Sequence, residues 1–372
     1  MMTLAEKLNR LLAACIAQDG SDLHFSPGLP PHIRIHGELA PLDGEPVAGS
    51  ADIESLAKEL LGRMGGKELA EMPRGSLDGA VTAPGGVRFR FNVFRRQGEM
   101  ALALRRLEDR FRTLADLGLP ESLLPLCDLR DGLVVVSGPT GAGKSTTLAT
   151  LLDHVNRTRR GHIITIEDPI EYLHTPVRCV VNQRQVGLDA PSFNDALVAS
   201  LRQDPDVVLV GEIRDLDTIR TAITAAETGH LVFTTLHAGD CVGSIERLVS
   251  VFPSDEQDGI RRQLSLVLRG IVAQRLLPAV TNGSAQRRVA CSEILINTPA
   301  TANLIATGKS AQIYSAMETG ASHGMQTLEQ DLARLWVGGR ISEVTASAMA
   351  RNQNVLRERA ANLRAPRNGG GK

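Results

Sequence analysis

One eight-residue segment constrains this chain more than any other. It reads Gly138-Pro139-Thr140-Gly141-Ala142-Gly143-Lys144-Ser145. It follows an apolar run, 133–136, and precedes a helix-like stretch, 146–155, that begins with Thr146. Glycines let backbone N–H groups turn inward around phosphate oxygens, and a helix N-terminus adds positive potential there. The lysine ammonium reaches the β- and γ-phosphates and the serine hydroxyl can ligate Mg²⁺, so the segment predicts a nucleotide site.

Composition limits the class of protein. A length of 372 residues favours two domains, and 42% hydrophobic residues suffice for ordinary cores. The net charge of −1 argues against a chain built to coat nucleic acid or anionic lipid. Five scattered cysteines without a C-x-x-C pair suit a reducing cytoplasm and give no zinc signal. We expect neither a signal peptide nor a membrane span, so any membrane role requires a partner.

The first 108 residues are predicted to form a small α+β domain. The run 87–93 alternates as a strand does, with its apolar side chains on one face and Arg88 and Arg90 on the other. A further predicted strand, 100–106, carries Arg105. Arginines on a strand face are usually solvated, but a guanidinium can also be supplied to a nucleotide across a domain or subunit junction.

The rest of the chain is predicted to be a linker, an α/β domain and a tail. Residues 109–131 hold prolines and charges and are interpreted as the linker. Within 132–364, near-continuous apolar strands alternate with helical patterns, which indicates a buried parallel sheet. The pattern after Gln274 is interpreted as helical, and the last residues, 365–372, as disordered.

Two acidic residues follow predicted strands of this sheet. Glu212 ends the strand 207–210, and a P-loop enzyme needs an acid there to hold Mg²⁺ through water or to orient attacking water. Glu167 ends the strand 162–166, at the sheet edge where ligands bind in open α/β folds. It could accept a proton from the lytic water. The alternative for each is an ordinary acidic turn.

Two histidines bracket the predicted strand 230–236. His237 falls at the strand end that carries the phosphate loop, where it could sense the γ-phosphate, whereas His230 lies at the opposite end. By itself, a histidine at a strand end is more often a structural hydrogen bonder.

Taken in order, these segments resemble the hexameric secretion and pilus ATPases and, more closely, the type IV pilus retraction motors of the PilT/PilU group. The similarity runs from Gly20-Ser21-Asp22-Leu23-His24 nearly to the end of the chain. It also includes 30–34, 88–90, 138–147, 166–171, 182–184, 201–215, 226–237 and 324–328.

The resemblance implies a PAS-like N-terminal domain joined to a RecA-like P-loop ATPase core. It places Glu167 in an Asp box, Glu212 in the Walker B segment, and His230 and His237 in a His box. The arginines of the N-terminal domain, Arg88, Arg90 and Arg105, approach the nucleotide.

The resemblance also implies the working assembly. The cofactors are ATP and Mg²⁺, the latter held by Ser145 and by Glu212 through water. The partners are a homo-hexamer, an inner-membrane pilus platform protein and a paralogous retraction ATPase, with no direct nucleic acid. The chain is expected in the cytoplasm at the inner-membrane face of the pilus machine.

Two departures from the family pattern help to decide between the assembly and the retraction branch of the family. Assembly motors of the family usually carry a four-cysteine zinc site, and its absence favours the retraction branch. Retraction motors of the first type carry Ala-Ile-Arg-Asn-Leu-Ile-Arg, whereas the matching stretch, 300–306, has Ala302 and Ala306 in place of the arginines. The chain is therefore either a primary motor or an accessory, PilU-like one.

The residues leave several alternatives open. Either Glu167 or Glu212 activates the water. A pilus-assembly or type II secretion ATPase is the nearest alternative function. A nucleic-acid motor of the RecA type would need aromatic stacking positions, and aromatic residues make up only 3% of the chain. A regulatory module without turnover is disfavoured by the intact Lys144, Glu167 and Glu212.

Overall fold

The computed structural model describes residues 3–35, 37–63, 75–107, 111–280 and 288–364. Contacts divide the chain into two compact units. One comprises Met1–Arg110 with Pro169–Leu173, and the other comprises Phe111–Asp168 with His174–Lys372. The domain boundaries drawn from the sequence stay predictions, and the predicted tail, 365–372, lies outside the described residues.

The N-terminal unit packs helices on one face of an antiparallel sheet. Its strands lie in the order β3-β2-β1-β6-β5-β4 within the described residues. The predicted alternation of the 87–93 strand is confirmed, since Phe89, Phe91 and Val93 are fully buried while Arg90 is exposed. The elements are α1 (Leu4–Ala17), β1 (Asp22–Phe25), β2 (His32–Ile35), β3 (Glu38–Pro41), α2 (Ser50–Gly62), β4 (Ser76–Thr82), β5 (Arg88–Arg96) and β6 (Glu99–Arg106).

The second unit is built on a mixed sheet, which confirms the predicted α/β class. Among the described strands, the order is β13-β12-β7-β11-β10-β8-β9. The pairs from β12 to β9 are parallel, and β12 pairs antiparallel with β13. The strands are β7 (Gly132–Ser137), β8 (His162–Glu167), β9 (Val180–Gln185), β10 (Val207–Val210), β11 (Leu231–Leu236), β12 (Leu268–Pro278) and β13 (Arg288–Ile296).

The helical interpretation of the segment after Gln274 is wrong at its start. Strand β12 continues through Gln274 to Pro278, and β13 returns beside it. The segment after Gln274, 275–278, continues this strand because it pairs with 288–291 of β13. A propensity calculated over a short stretch of sequence does not include the partner strand, so it misses this pairing. Helices dominate only beyond β13.

Helices cover both faces of this sheet. The helix after the phosphate loop, α4, buries Leu148, Leu151, Leu152 and Val155. Each such side chain contributes about 1.5–3 kcal/mol to folding. The helices are α3 (Leu114–Leu117), α4 (Lys144–Thr158), α5 (Phe193–Ser200), α6 (Leu216–Glu227), α7 (Cys241–Ser250), α8 (Gln257–Val267), α9 (Pro299–Ala306), α10 (Ser310–Thr319), α11 (Leu328–Val337), α12 (Glu343–Met349) and α13 (Gln353–Arg364).

Part of the predicted linker is folded. Besides α3, it contains a 3₁₀ helix, Glu121–Cys127, and its buried leucines pack into the core beneath β7 and α4. All five cysteines are free and buried. None of the helices in the described ranges is both long and apolar enough to cross a bilayer.

Candidate nucleotide site

The strand order brings the predicted site residues to one edge of the sheet. Strands β8, β10, β11 and β7 are parallel neighbours, so their carboxyl ends lie side by side. Glu167 ends β8, Glu212 follows β10, and His237 follows β11. The phosphate loop follows β7, with Gly138 donating its N–H to the Leu236 carbonyl at 3.2 Å.

The phosphate loop encloses its lysine. Lys144 is 9% exposed, and its Nζ donates to the carbonyl oxygens of Gly138 at 2.9 Å and Pro139 at 3.1 Å. Helix α4 begins at Lys144, after Gly143 as N-cap, so the first N–H groups of the helix point towards the loop. This concentrates positive potential where a phosphate chain would lie.

Glu212 lies between two nitrogen-bearing side chains. Its Oε1 accepts from Arg214 Nη2 at 2.7 Å, and its Oε2 lies 3.8 Å from His237 Nε2. The Glu212 side chain is only 18% exposed, while Arg214 is 72% exposed. The carboxylate is therefore oriented, and its neighbour is an exposed surface guanidinium.

Two neutral side chains donate hydrogen bonds to Glu167. Its Oε1 accepts from Thr165 Oγ1 at 2.6 Å and from Gln183 Nε2 at 3.1 Å. Gly211 lies directly beside it: a Cβ built on Gly211 would be 3.2 Å from the Ile166 carbonyl and 3.5 Å from the Glu167 Cα. Glycine at 211 therefore permits close packing of the two strand ends that carry the acids.

The environment of His237 favours the neutral imidazole. Partial burial lowers its pKa from the usual 6.5, and the positive charge of Lys144 lowers it further, against the opposing effect of Glu212. A neutral ring at physiological pH can both donate and accept a hydrogen bond. Such a group suits the recognition of a phosphate oxygen or a water beside it.

His230 is not brought to this edge. It precedes β11, and its carbonyl accepts from Gly132, at the start of β7. Its Nδ1 donates to the Ala225 carbonyl at 3.0 Å, at the end of α6. A residue before a strand and a residue after it lie at opposite edges of the sheet, so within this chain His230 serves as a local hydrogen bonder.

The three predicted arginines lie on the N-terminal sheet. Arg105 Nε donates to Asp22 Oδ1 at 2.8 Å, and Arg90 lies 3.7 Å from Asp78. Arg88 is half-buried on β5. Burial alone would raise the pKa of Asp22, but hydrogen bonds from Arg105 and Ser21 outweigh it and lower that pKa. The approach of these arginines to a nucleotide stays a prediction.

The family model described as type II/IV secretion system protein matches residues 3–333. The chain belongs to this secretion-system family. The type IV pilus retractation ATPase PilT of Pseudomonas aeruginosa is 43% identical over 344 residues, which covers 92% of this chain and 98% of that protein. The type IV pilus ATPase PilU of the same species is 39% identical, covering 95% of this chain and 90% of that protein.

A solved structure agrees with these relatives. The crystal structure of the pilus retraction motor PilT with bound ADP has a TM-score of 0.85 and 41% identity, covering 96% of this chain and 99% of that one. The predicted resemblance to the retraction ATPases is confirmed. The RecA-like fold and the ATPase class are confirmed with it.

Two glutamines beside this candidate nucleotide site were not predicted from the sequence. Gln183, on β9, bridges Glu167 and the His174 backbone, whose N–H it accepts at 2.8 Å. Gln183 lies in the segment 182–184, which is similar to the family, but that similarity does not assign it a function. Gln274, on β12, contacts the phosphate loop and lies in a strand that was not predicted. A polar residue within an otherwise largely apolar run is the signal for Gln274, whereas Gln183 stands in a polar stretch, 182–185, that gives no such signal.

Next to this site, the buried His174 is expected to make the fold sensitive to acid. It is 7% exposed and stacks on Phe111, with ring centroids 4.6 Å apart. Burial lowers its pKa from 6.5 to about 4. Above pH 6.5 the ring is neutral in both states. As the pH falls towards 4, only the unfolded state binds the proton, so we expect a loss of roughly 3 kcal/mol in the free energy of unfolding.

Urea midpoints measured across this pH range in His174→Gln should fall less steeply with acidification than those of the parent chain. His323→Gln, an exposed position, is the matched control and should follow the parent. Parallel curves for all three proteins would contradict this account of His174.

Proposed function

We propose that this chain is an ATP-hydrolysing motor of type IV pilus retraction, the process behind twitching motility. The observation that carries the proposal is the 43% identity to a pilus retractation ATPase, spanning 98% of that relative. The clustering of Lys144, Glu167, Glu212 and His237 at one sheet edge supplies the chemistry such a motor requires.

The P-loop, Gly138 to Ser145 with Thr146, is the phosphate-binding element in this proposal. Its N–H groups and Lys144 hold the phosphates. Ser145 and Glu212 would hold Mg²⁺, the latter through water, because hydroxyl and carboxylate oxygens suit that ion. Bound Mg²⁺ would offset the negative charge of the phosphate chain.

Hydrolysis then depends on the carboxylates and the lysine. Glu167 or Glu212 accepts a proton from water as its oxygen bonds to the γ-phosphorus. The bond from that phosphorus to the β–γ bridging oxygen breaks, and Lys144 offsets the charge that develops on the leaving oxygen. His237 would contact the γ-phosphate, and Arg88, Arg90 and Arg105 would add positive charge from the N-terminal unit.

We propose a ring of six copies that acts on an inner-membrane pilus platform protein from the cytoplasmic side. The overall similarity to PilT and PilU supports this assembly. Ala302 and Ala306, both on α9, stand where first-type retraction motors have arginines, which favours an accessory role beside a paralogous ATPase.

Pilus number in cells that lack the protein tests the proposal. We expect excess surface pili and reduced twitching if the chain is the primary motor, because extension continues while retraction stops. For an accessory motor, we expect near-normal pilus number and weaker retraction force, measured by optical trapping of attached cells. Loss of pili would contradict the proposal and indicate an assembly motor.

A further inference from the structure

Gln274 is a buried polar residue directly beside the phosphate loop. Strand β12 runs parallel to β7, with Ala273 opposite Ser137, so the next residue along β12 lies beside the start of the loop. Gln274 is only 3% exposed, although a glutamine is usually a surface residue. A buried amide that lacks partners is costly, so its hydrogen bonds indicate what it is for.

Both ends of the Gln274 amide bond to the loop or to the helix that follows it. Nε2 donates to the Ala142 carbonyl at 2.8 Å. Oε1 accepts from Thr147 Oγ1 at 2.7 Å, and Thr147 is fully buried. One side chain thus connects the last turn of the phosphate loop to the first turn of α4.

The backbone around Gln274 is equally close to the loop. A Cβ built on Gly138 would lie 2.3 Å from the Gln274 carbonyl oxygen, and Gly138 has a φ of 149°. A Cβ built on Gly143 would lie 2.9 Å from Gln274 Nε2, and Gly143 has a φ of 86°. Two glycines of the motif therefore accommodate β12 as well as the inward turn of the N–H groups.

We propose that Gln274 is a positioning residue of the nucleotide site. Its amide fixes Ala142 and Thr147 to the sheet, so the loop N–H groups and the start of α4 are oriented before a phosphate arrives. Pre-orientation lowers the ordering cost of binding, so the gain is in nucleotide affinity. The inference rests on the proposed assignment of the phosphate loop as the nucleotide site.

The test compares Gln274→Met with the parent chain. Methionine keeps the length of the side chain and removes both hydrogen bonds. We expect the Kd for ADP with Mg²⁺, measured by isothermal titration calorimetry, and the KM for ATP to rise on the order of tenfold, the effect of about one buried hydrogen bond. The change in kcat should be smaller, because Gln274 bonds to the loop and not to the reacting atoms.

Gln326→Met is the matched control. Gln326 Nε2 donates to the Ser292 carbonyl at 2.8 Å and to Ser292 Oγ at 3.2 Å, and Ser292 is the β13 residue opposite Gln274. This control removes a similar tether from the same strand pair without touching the loop. It should lower the thermal midpoint and leave the Kd for ADP unchanged. If Gln274→Met behaves in the same way, its role is structural and the proposal is overturned.

A second variant covers the case in which Gln274→Met does not fold. Thr147→Val is nearly isosteric and removes one of the two bonds, so we expect a rise in Kd of a few-fold. In the double variant the Kd should not exceed that of Gln274→Met, because both changes remove the same contact. An unchanged Kd and KM in Thr147→Val would overturn the proposal. Retained ADP binding in Lys144→Ala would instead refute the loop as the nucleotide site.

Discussion

Replacing Lys144 by alanine is expected to weaken nucleotide binding and hydrolysis together, by orders of magnitude. The Nζ group lies inside the loop, within 3.1 Å of the Gly138 and Pro139 carbonyls, so it is already placed where β- and γ-phosphates would lie. Loss of charge-assisted contacts to two phosphates, each worth about 1.5–3 kcal/mol, predicts a fall in kcat/KM on the order of a thousandfold. Phosphate release and calorimetric ADP binding measure the two effects.

Lys309→Ala, an exposed position in the same unit, is the matched control for charge and should retain both activities. If Lys144→Ala hydrolysed ATP at the parent rate, the phosphate loop would not be the catalytic nucleotide site.

Replacing Glu212 by glutamine is expected to separate binding from turnover. The amide keeps the size of the side chain but cannot accept a proton or carry charge towards Mg²⁺. We expect kcat to fall by about 10²–10⁴-fold, the range for loss of a general base, with ATP affinity changed only a few-fold. Single-turnover hydrolysis alongside equilibrium ATP binding measures both quantities.

The same experiment on Glu167→Gln compares the two carboxylates. The pH profile of kcat identifies the base: its variant loses the rise of kcat with pH, whereas loss of a group that acts on the metal or on water orientation lowers kcat without removing that rise. Glu343→Gln, on the exposed face of α12, is the control and should match the parent. Undiminished steady-state hydrolysis in Glu212→Gln would refute the role assigned to Glu212.

Local rules predict most of this edge of the sheet. Phosphate loops, strand ends and acids that follow apolar runs are short-range patterns, so Lys144, Glu167, Glu212 and His237 could be grouped from the sequence. Parallel pairing then places them side by side without further information.

The features that the sequence does not predict depend on pairing between strands that are distant in the chain. Nothing near Gln274 in sequence indicates that its strand pairs with β7, so the sequence predicts neither this strand nor a role for the amide. Likewise, Gln183 supports Glu167 from β9, a short edge strand whose pairing with β8 is a property of the folded sheet.

The contact between the phosphate loop and β12 also has a consequence for the order in which the chain folds during synthesis. Gln274 and Ala142 are 132 residues apart, so the contact closes a long loop and forms slowly compared with helices. A ribosome that has released the chain only through α4 has delivered the entire glycine-rich motif but not the strand against which it rests. We therefore expect competence to bind nucleotide to be acquired late in translation, once β12 has emerged and paired with β7.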